Sequence, residues 1–260
     1  IRPPPTSTQP HSSAASDVYK RQRLQHNKEK ISKYLANLGF ASRRNINELF
    51  KTKKITLNNN PVNHNALVKD NDVINIDGED FVVEINPETE VLIYHKPTGQ
   101  VCSNVPTDKN DSVFQALPPR KKGKWIMVGR LDVNTSGLLV FSNNGDFVNQ
   151  LAHPSSKIDR EYLCRVYGDL TDKKLENIMK GVNINGEKSN FSDVVAVKKT
   201  SKSKNHWFYV CLFTGKNREV RKIWGTQKLT VNRLMRLRYG PIIMPENLKP
   251  GGWKKFSKKE

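Results

Sequence analysis

Two short apolar runs, Ile126–Val128 and residues 138–141, bracket a nine-residue polar stretch with glycine at both ends, Gly129 and Gly137. Runs this short, rich in strand formers, read as strands, so this piece of chain folds as strand, loop, strand. Glycine at each end permits backbone angles that would crowd other residues. Asp132 is the one carboxylate in the loop. Most loop aspartates only shape a turn. Loops held between strands are also a common seat of catalytic side chains, and the rest of the chain must decide between the two.

Before this stretch, Ile31, Tyr34, Leu35 and Leu38 follow the i, i+3, i+4, i+7 spacing of an amphipathic helix, which Gly39 ends. Ser42 is placed to cap a second helix burying Ile46, Leu49 and Phe50. Strands follow at 55–57 and 73–76, with turns at Asn58-Asn59-Asn60-Pro61 and Asp77-Gly78. Asn86-Pro87-Glu88-Thr89-Glu90 is polar and contains proline, as linkers do. Residues 91–94 form a strand and His95-Lys96-Pro97-Thr98-Gly99 a turn. A long polar stretch carries a basic knot, Arg120, Lys121, Lys122 and Lys124, which is either an RNA grip or a solvated loop.

Beyond the loop, Asn143-Asn144-Gly145 turns and Asp146 is placed to cap a helix that ends near His153-Pro154. Alternation over 160–166 puts Tyr162, Cys164 and Val166 on one strand face. Residues 171–180 read as a helix with Leu175, Ile178 and Met179 inward and Gly181 as its stop. The Lys/Ser stretch 198–204 reads as a solvated loop. A strand at 207–213 turns into a helix whose apolar face is Val220, Ile223 and Trp224, and 231–239 is the last strand. The expected domains are 27–86 and 91–250, joined by a linker at 87–90 and followed by a basic tail at 251–260. Residues 1–26 are expected to be disordered, since they are rich in Pro, Ser and Thr without periodicity. Asp17 to Gln22 reads as a translated sequencing-adapter end, so this segment is either non-native or a natural flexible basic tail, and it is left out of the fold.

Charge narrows the class of partner. The chain carries 44 Lys plus Arg against 25 Asp plus Glu, a formal +19. Such an excess favours a polyanion. No long apolar run or basic amphipathic anchor suggests a membrane. Cys102, Cys164 and Cys211 are odd in number, far apart and without a Cys-x-x-Cys pair, so they read as reduced cytosolic thiols. The six histidines lack metal-ligand spacing. No glycine-rich nucleotide loop is present, so neither a metal nor a cofactor is expected.

Gly129-Arg130-Leu131-Asp132 followed by Thr135-Ser136-Gly137-Leu138-Leu139 resembles the signature of the RNA pseudouridine synthases with a Gly-Arg-Leu-Asp motif. Nine positions in order between two strands make that signal specific. Arg160-Glu161-Tyr162, Asn217-Arg218-Glu219-Val220-Arg221-Lys222 and Pro250-Gly251-Gly252-Trp253 look most like the B branch of the large-subunit ribosomal RNA enzymes. The likeness runs over about residues 28–253. Lys228 departs from it, sitting where glycine is common. Ala41-Ser42-Arg43-Arg44 and the stretch 53–58, within two helices followed by short strands, resemble an S4 RNA-binding domain.

The resemblance implies an α+β fold: a small S4 domain, then a mixed, largely antiparallel-sheet catalytic domain. It implies that Asp132 is catalytic, that Tyr162 stacks on the target uracil, that Arg221 pairs with Asp132, and that Val220 packs near the base. Arg130 is a candidate to fill the space an everted base leaves, or to contact phosphate. Arg218 and Lys222 are phosphate ligands or surface charges. Arg43, Arg44, Lys51, Lys53 and Lys54 would line an RNA face on the small domain, positioning rather than reading the substrate. The implied activity is isomerisation of a uridine in a stem-loop of 23S ribosomal RNA, naked or in an assembling particle, by a monomer in the bacterial cytoplasm. The alternatives are a non-catalytic RNA-binding assembly protein, an enzyme acting on 16S RNA, and a metal-dependent nuclease. The last needs clustered acids, which the motif lacks.

Overall fold

The computed structural model describes residues 28–85, 88–120, 122–197 and 204–256. The tail at 1–26, Asn86-Pro87 of the linker, Lys121, residues 198–203 of the Lys/Ser loop and the last four residues lie outside that set. The chain divides into two compact units, Ile1–Glu88 with Lys122–Lys124, and Thr89–Lys121 with Trp125–Glu260.

In the first unit, β1 (Lys28–Lys30) pairs antiparallel with β4 (Leu67–Lys69). Helix α1 (Ile31–Leu38) buries Ile31, Tyr34, Leu35 and Ala36, and Leu38 is only partly covered. Gly39 ends the helix in the left-handed conformation at φ 99°, its N–H bonded to the Leu35 carbonyl at 3.1 Å. Ser42 does not cap α2 (Ile46–Thr52). Its hydroxyl accepts from Asn45 N–H at 3.2 Å, closing the turn that precedes the helix, and Asn45 holds the cap position. A four-stranded antiparallel sheet follows in the order β3 (Asn60–Pro61), β2 (Ile55–Leu57), β5 (Val73–Ile76), β6 (Glu79–Val82). Asp77 and Gly78, both at positive φ, make the two-residue hairpin between β5 and β6, a turn whose twist matches the strands. Ile31, Leu35, Val68 and Ile74 form a fully buried centre.

The second unit is built on a nine-stranded sheet. Its main path runs β13 (Asp193–Ala196), β14 (Asn205–Leu212), β10 (Arg160–Tyr167), β15 (Thr230–Tyr239), β9 (Ser136–Ser142), β7 (Val91–Lys96), β17 (Trp253–Lys255). Strand β16 (Ile242–Ile243) pairs with β15, and β8 (Ile126–Val128) with β9, while β11 (Val182–Ile184) and β12 (Glu187–Ser189) form a separate two-stranded sheet. So 231–239 is not the last strand, and residues 253–255 are not a free tail. They add to the sheet edge, Trp253 opposite Tyr94. Every pairing is antiparallel except β15 with β9, which consists of Met235 opposite Ser136 and Arg236 opposite Gly137. Two antiparallel halves are therefore joined by one short parallel seam.

Helix α3 (Gly145–Ala152) is capped by Asn144, whose side chain accepts from Asp146 and Phe147 N–H; Asp146 stands in the first turn. In α4 (Asp172–Lys180), capped by Thr171, Ile178 is buried while Met179 is 44% exposed, so the inward face is narrower than its spacing suggests. Helix α5 (Glu219–Gly225) buries Val220, Ile223 and Trp224, with Trp224 packed on Phe208 at 4.9 Å between ring centroids. After it, Lys228 adopts φ 58°, the backbone region that glycine occupies without strain.

A candidate active site at the parallel seam

Strand β9 shares one of its edges. Its first two residues pair with β15 and its last three with β8. The loop between β8 and β9 leaves the sheet between those two partners. It carries Asp132 to the rim of a cleft of about 960 Å³, all of it within the second unit. Gly137 makes the seam possible. A Cβ there would lie 2.2 Å from the Arg236 carbonyl oxygen and 2.5 Å from its nitrogen, at φ 106°.

The loop is held by two cations, neither of which bonds to the carboxylate. Lys96, at the end of β7, is fully buried and donates its ammonium protons to the carbonyls of Pro97 (2.9 Å), Val133 (3.3 Å) and Thr135 (2.9 Å). Burial pushes its pKa down, opposed by Cys102 and Asp132 nearby. Arg221 donates to the Asn134 carbonyl at 2.9 Å and to the Val231 carbonyl at 2.6 Å. Its pKa is lowered by burial first and by Arg218 next, with Asp132 pulling the other way. Among the described residues Asp132 itself makes no side-chain hydrogen bond or ion pair. The expected Arg221–Asp132 pair is thus replaced by a bond to the backbone two residues further on. The guanidinium is committed to two carbonyls and reaches the acid only through space.

The cleft collects five of the seven side chains singled out from sequence in the second unit. Asp132, Tyr162, Arg130, Arg218 and Val220 line it, whereas Arg221 and Lys222 do not. Tyr162 is 8% exposed and sits on β10 directly opposite Arg236 of β15. Arg218 precedes α5 in the left-handed conformation, φ 53°. Glu219 is buried but occupied: it accepts from the Thr214 hydroxyl at 2.7 Å and from Lys216 N–H at 3.1 Å, which fixes the turn into α5. Five cations, Arg130, Arg160, Lys216, Arg218 and Arg236, line the cleft against the two acids Asp132 and Glu219. Such a field suits a polyanion. The basic residues of the first unit, Arg43, Arg44, Lys51, Lys53 and Lys54, are all exposed. Two of them are partnered, Lys51 with Glu48 (2.7 Å) and Lys53 with Asp77 (2.6 Å).

Sequence reasoning assigned no part to Lys96 or Arg236. Lys96 had been read as part of the turn at 95–99, whereas in the structure it is the last residue of β7. Lys96→Met keeps the chain length and removes the ammonium from three carbonyls. At about 1 kcal/mol for each bond lost, it is expected to destabilise the protein by about 3 kcal/mol. A denaturant midpoint equal to that of the unsubstituted protein would show that the Asp132 loop does not depend on this lysine.

Comparison with known proteins agrees with the geometry. A family model described as RNA pseudouridylate synthase matches residues 90–224. Ribosomal large subunit pseudouridine synthase B of Vibrio cholerae is 40% identical over 235 residues, covering 89% of this chain and 73% of that protein. The protein of the same name from Buchnera aphidicola of the pea aphid, Acyrthosiphon pisum, is 39% identical over 232 residues, covering 88% and 93%. A crystal structure of a pseudouridylate synthase shares the fold, with TM-score 0.59 at 19% identity over 88% of this chain and 96% of that one.

Proposed function

As the chain belongs to the RNA pseudouridylate synthase family, we propose that it isomerises a uridine of large-subunit, 23S, ribosomal RNA to pseudouridine, with Asp132 as the catalytic residue. The observation that carries this reading is a half-buried carboxylate with no hydrogen-bond or ion-pair partner among the described residues, lining a cation-rich cleft that Tyr162 lines too. A carboxylate used only to shape its loop would spend its oxygens on the loop's own N–H groups. This one has them available for a substrate.

The chemistry is redox-neutral. The N1–C1′ bond of the target nucleoside breaks and its electron pair leaves with uracil. The base turns, C5 bonds to C1′, the C5 proton is lost and N1 gains one, so the atom count is unchanged. Asp132 acts on the sugar, either as nucleophile at C1′ or as the base that forms a glycal. To be reached, the nucleotide must leave its stack, at a cost of a few kcal/mol that is least in a loop or bulge. Tyr162 and Val220 offer the base an apolar wall, and Arg130 and Arg218 suit phosphates or the vacated stack. Lys222, outside the cleft, is assigned to the RNA backbone. Arg221 acts as a positioning residue through Asn134.

The small unit is assigned to holding the RNA stem, through Arg43, Arg44 and Lys54 first. Lys51 and Lys53 must exchange an acidic partner for a phosphate, which weakens their contribution. The substrate is a stem-loop in free RNA or in an assembling particle, and the enzyme works as a cytoplasmic monomer in a bacterium. Carbodiimide labelling and primer extension on ribosomal RNA, from cells with and without the gene, test the function. One stop in 23S RNA is expected to vanish with the gene and to return with it. An unchanged pattern in 23S RNA removes the assignment, and a lost stop in 16S RNA reassigns the substrate.

A further inference from the structure

Arg236 is a buried charge with no counterion among the described residues. It is 2% exposed and is one of the residues that line the cleft. Its Nε donates to the Leu138 carbonyl at 2.8 Å, which locks the guanidinium to β9. Its Nη2 is buried and has no hydrogen-bond partner. One face rests on the Tyr239 ring, with the guanidinium carbon 5.1 Å from the centroid, and Tyr239 is tethered by its hydroxyl to the Leu151 carbonyl at 2.8 Å. A second guanidinium, Arg160, lies 4.9 Å from the same ring and bonds only to neutral oxygens. Among the described residues, neither arginine has a carboxylate within ion-pair distance. An arginine does not escape burial by deprotonating. A guanidinium kept dry and uncompensated is unfavourable until something negative arrives.

We propose that Arg236 binds the departing uracil and stabilises the negative charge it carries once the glycosidic bond has broken. The inference rests on the isomerase reading above. When the N1–C1′ bond cleaves, its electron pair spreads over N1 and the O2 and O4 carbonyls. Nη2 donates to one of those carbonyls, and its bond shortens as charge builds there. The charge passes back out of the base when C5 forms its bond to C1′. Donors already aimed at developing charge in a dry site need no reorganisation when the bond breaks.

The base, rather than a phosphate, is the anion that reaches this residue. Arg236 lies opposite Tyr162 on the same sheet face, and Tyr162, Leu212, Val220 and Leu234 make the cleft walls apolar there. A flat, uncharged uracil enters such walls, whereas a phosphate would have to shed its water first. Of the other cleft cations, Arg130 and Arg218 are left for the backbone, Arg160 is stacked on Tyr239, and Lys216 is paired with Glu187 at 2.6 Å.

The test uses the full-length enzyme in single turnover on a ribosomal RNA fragment holding its target uridine. Parallel fragments carry 2-thiouridine or 4-thiouridine at the target, or neutral methylphosphonates on its two sides. Sulfur is a weak acceptor. One thio-RNA is expected to react about tenfold more slowly, although thiouracil is the better leaving group. Arg236→Gln is expected to lose about 100-fold on the unmodified fragment, the range for removal of an oxyanion donor, and to convert the thio-RNAs at least as fast as the oxygen RNA. Loss of the sulfur effect in the variant is a result that a packing role does not produce. If neither thio-RNA is slowed with the unsubstituted enzyme, the proposal fails, and that arm decides it even if the variant does not fold. A loss confined to the methylphosphonate RNAs overturns it in favour of phosphate binding. Failure of the unsubstituted enzyme to convert plain uridine would instead overturn the isomerase reading.

Discussion

Asp132→Asn is expected to abolish pseudouridine formation while leaving fold and RNA binding in place. The substitution is nearly isosteric, and the carboxylate makes no hydrogen bond or ion pair among the described residues. Its removal therefore breaks no contact that holds the loop. The loop's anchors are backbone carbonyls: Val133 and Thr135 to Lys96, Asn134 to Arg221. These survive the change. The attraction lost acts through space only, so the stability change should stay below about 1 kcal/mol. Turnover, in contrast, should fall by at least about 1,000-fold, equivalent to about 4 kcal/mol of transition-state stabilisation. An amide is neither the nucleophile nor the base that the sugar requires. Filter binding and single-turnover conversion of one RNA measure both quantities. Conversion within tenfold of the unsubstituted rate would remove Asp132 from the chemistry. Loss of binding and melting temperature together would make it a structural residue.

Gly137→Ala is expected to be the most damaging small substitution in the sheet. Its Cβ would meet three backbone atoms of Arg236, at 2.2, 2.5 and 2.9 Å, in a backbone conformation that alanine avoids. Backbone of a paired strand has no rotamer to turn away, so the seam must open. Both of its residue pairs, 235 with 136 and 236 with 137, are then at risk. A loss of about 4 kcal/mol or more follows, which lowers the melting temperature by about 10 °C in a domain of this size. Gly129→Ala is the control. That glycine also has positive φ, at 69°, but an added Cβ would meet nothing within 4 Å, so only the conformational cost of about 1–2 kcal/mol applies. Equal melting temperatures for the two variants would show that the close approach of β9 and β15 is not what requires glycine at 137.

These two experiments separate what was readable along the chain from what was not. Period-two alternation placed Tyr162, Cys164 and Val166 on a buried face, because each strand residue points opposite to its neighbours whatever strand lies beside it. Helix ends marked by Gly39 and Gly181 were equally local. The caps expected of Ser42 and Asp146 were misplaced, since adjacent polar residues compete for the same N–H groups. Asp132 was found through a motif, which records chemistry directly. Arg221 was found the same way, but its bonding partners depend on where Asn134 and Val231 come to rest.

By itself the sequence determined the helices and the longer strands, though not the short strands between 182 and 196 or at 253–255, together with the excess of positive charge and the acid on which the proposed chemistry turns. Those follow from rules that act within a few residues, or from composition. The tertiary structure alone decided that β9 and β15 run parallel, that residues 253–255 close an edge beside β7, and that Lys96 and Arg236 are buried cations at the site. Each of these depends on which distant segments become neighbours. Side-chain periodicity states which face of a strand is covered. It carries no information about the strand that does the covering, and a charged side chain shows its role only when its surroundings are in place.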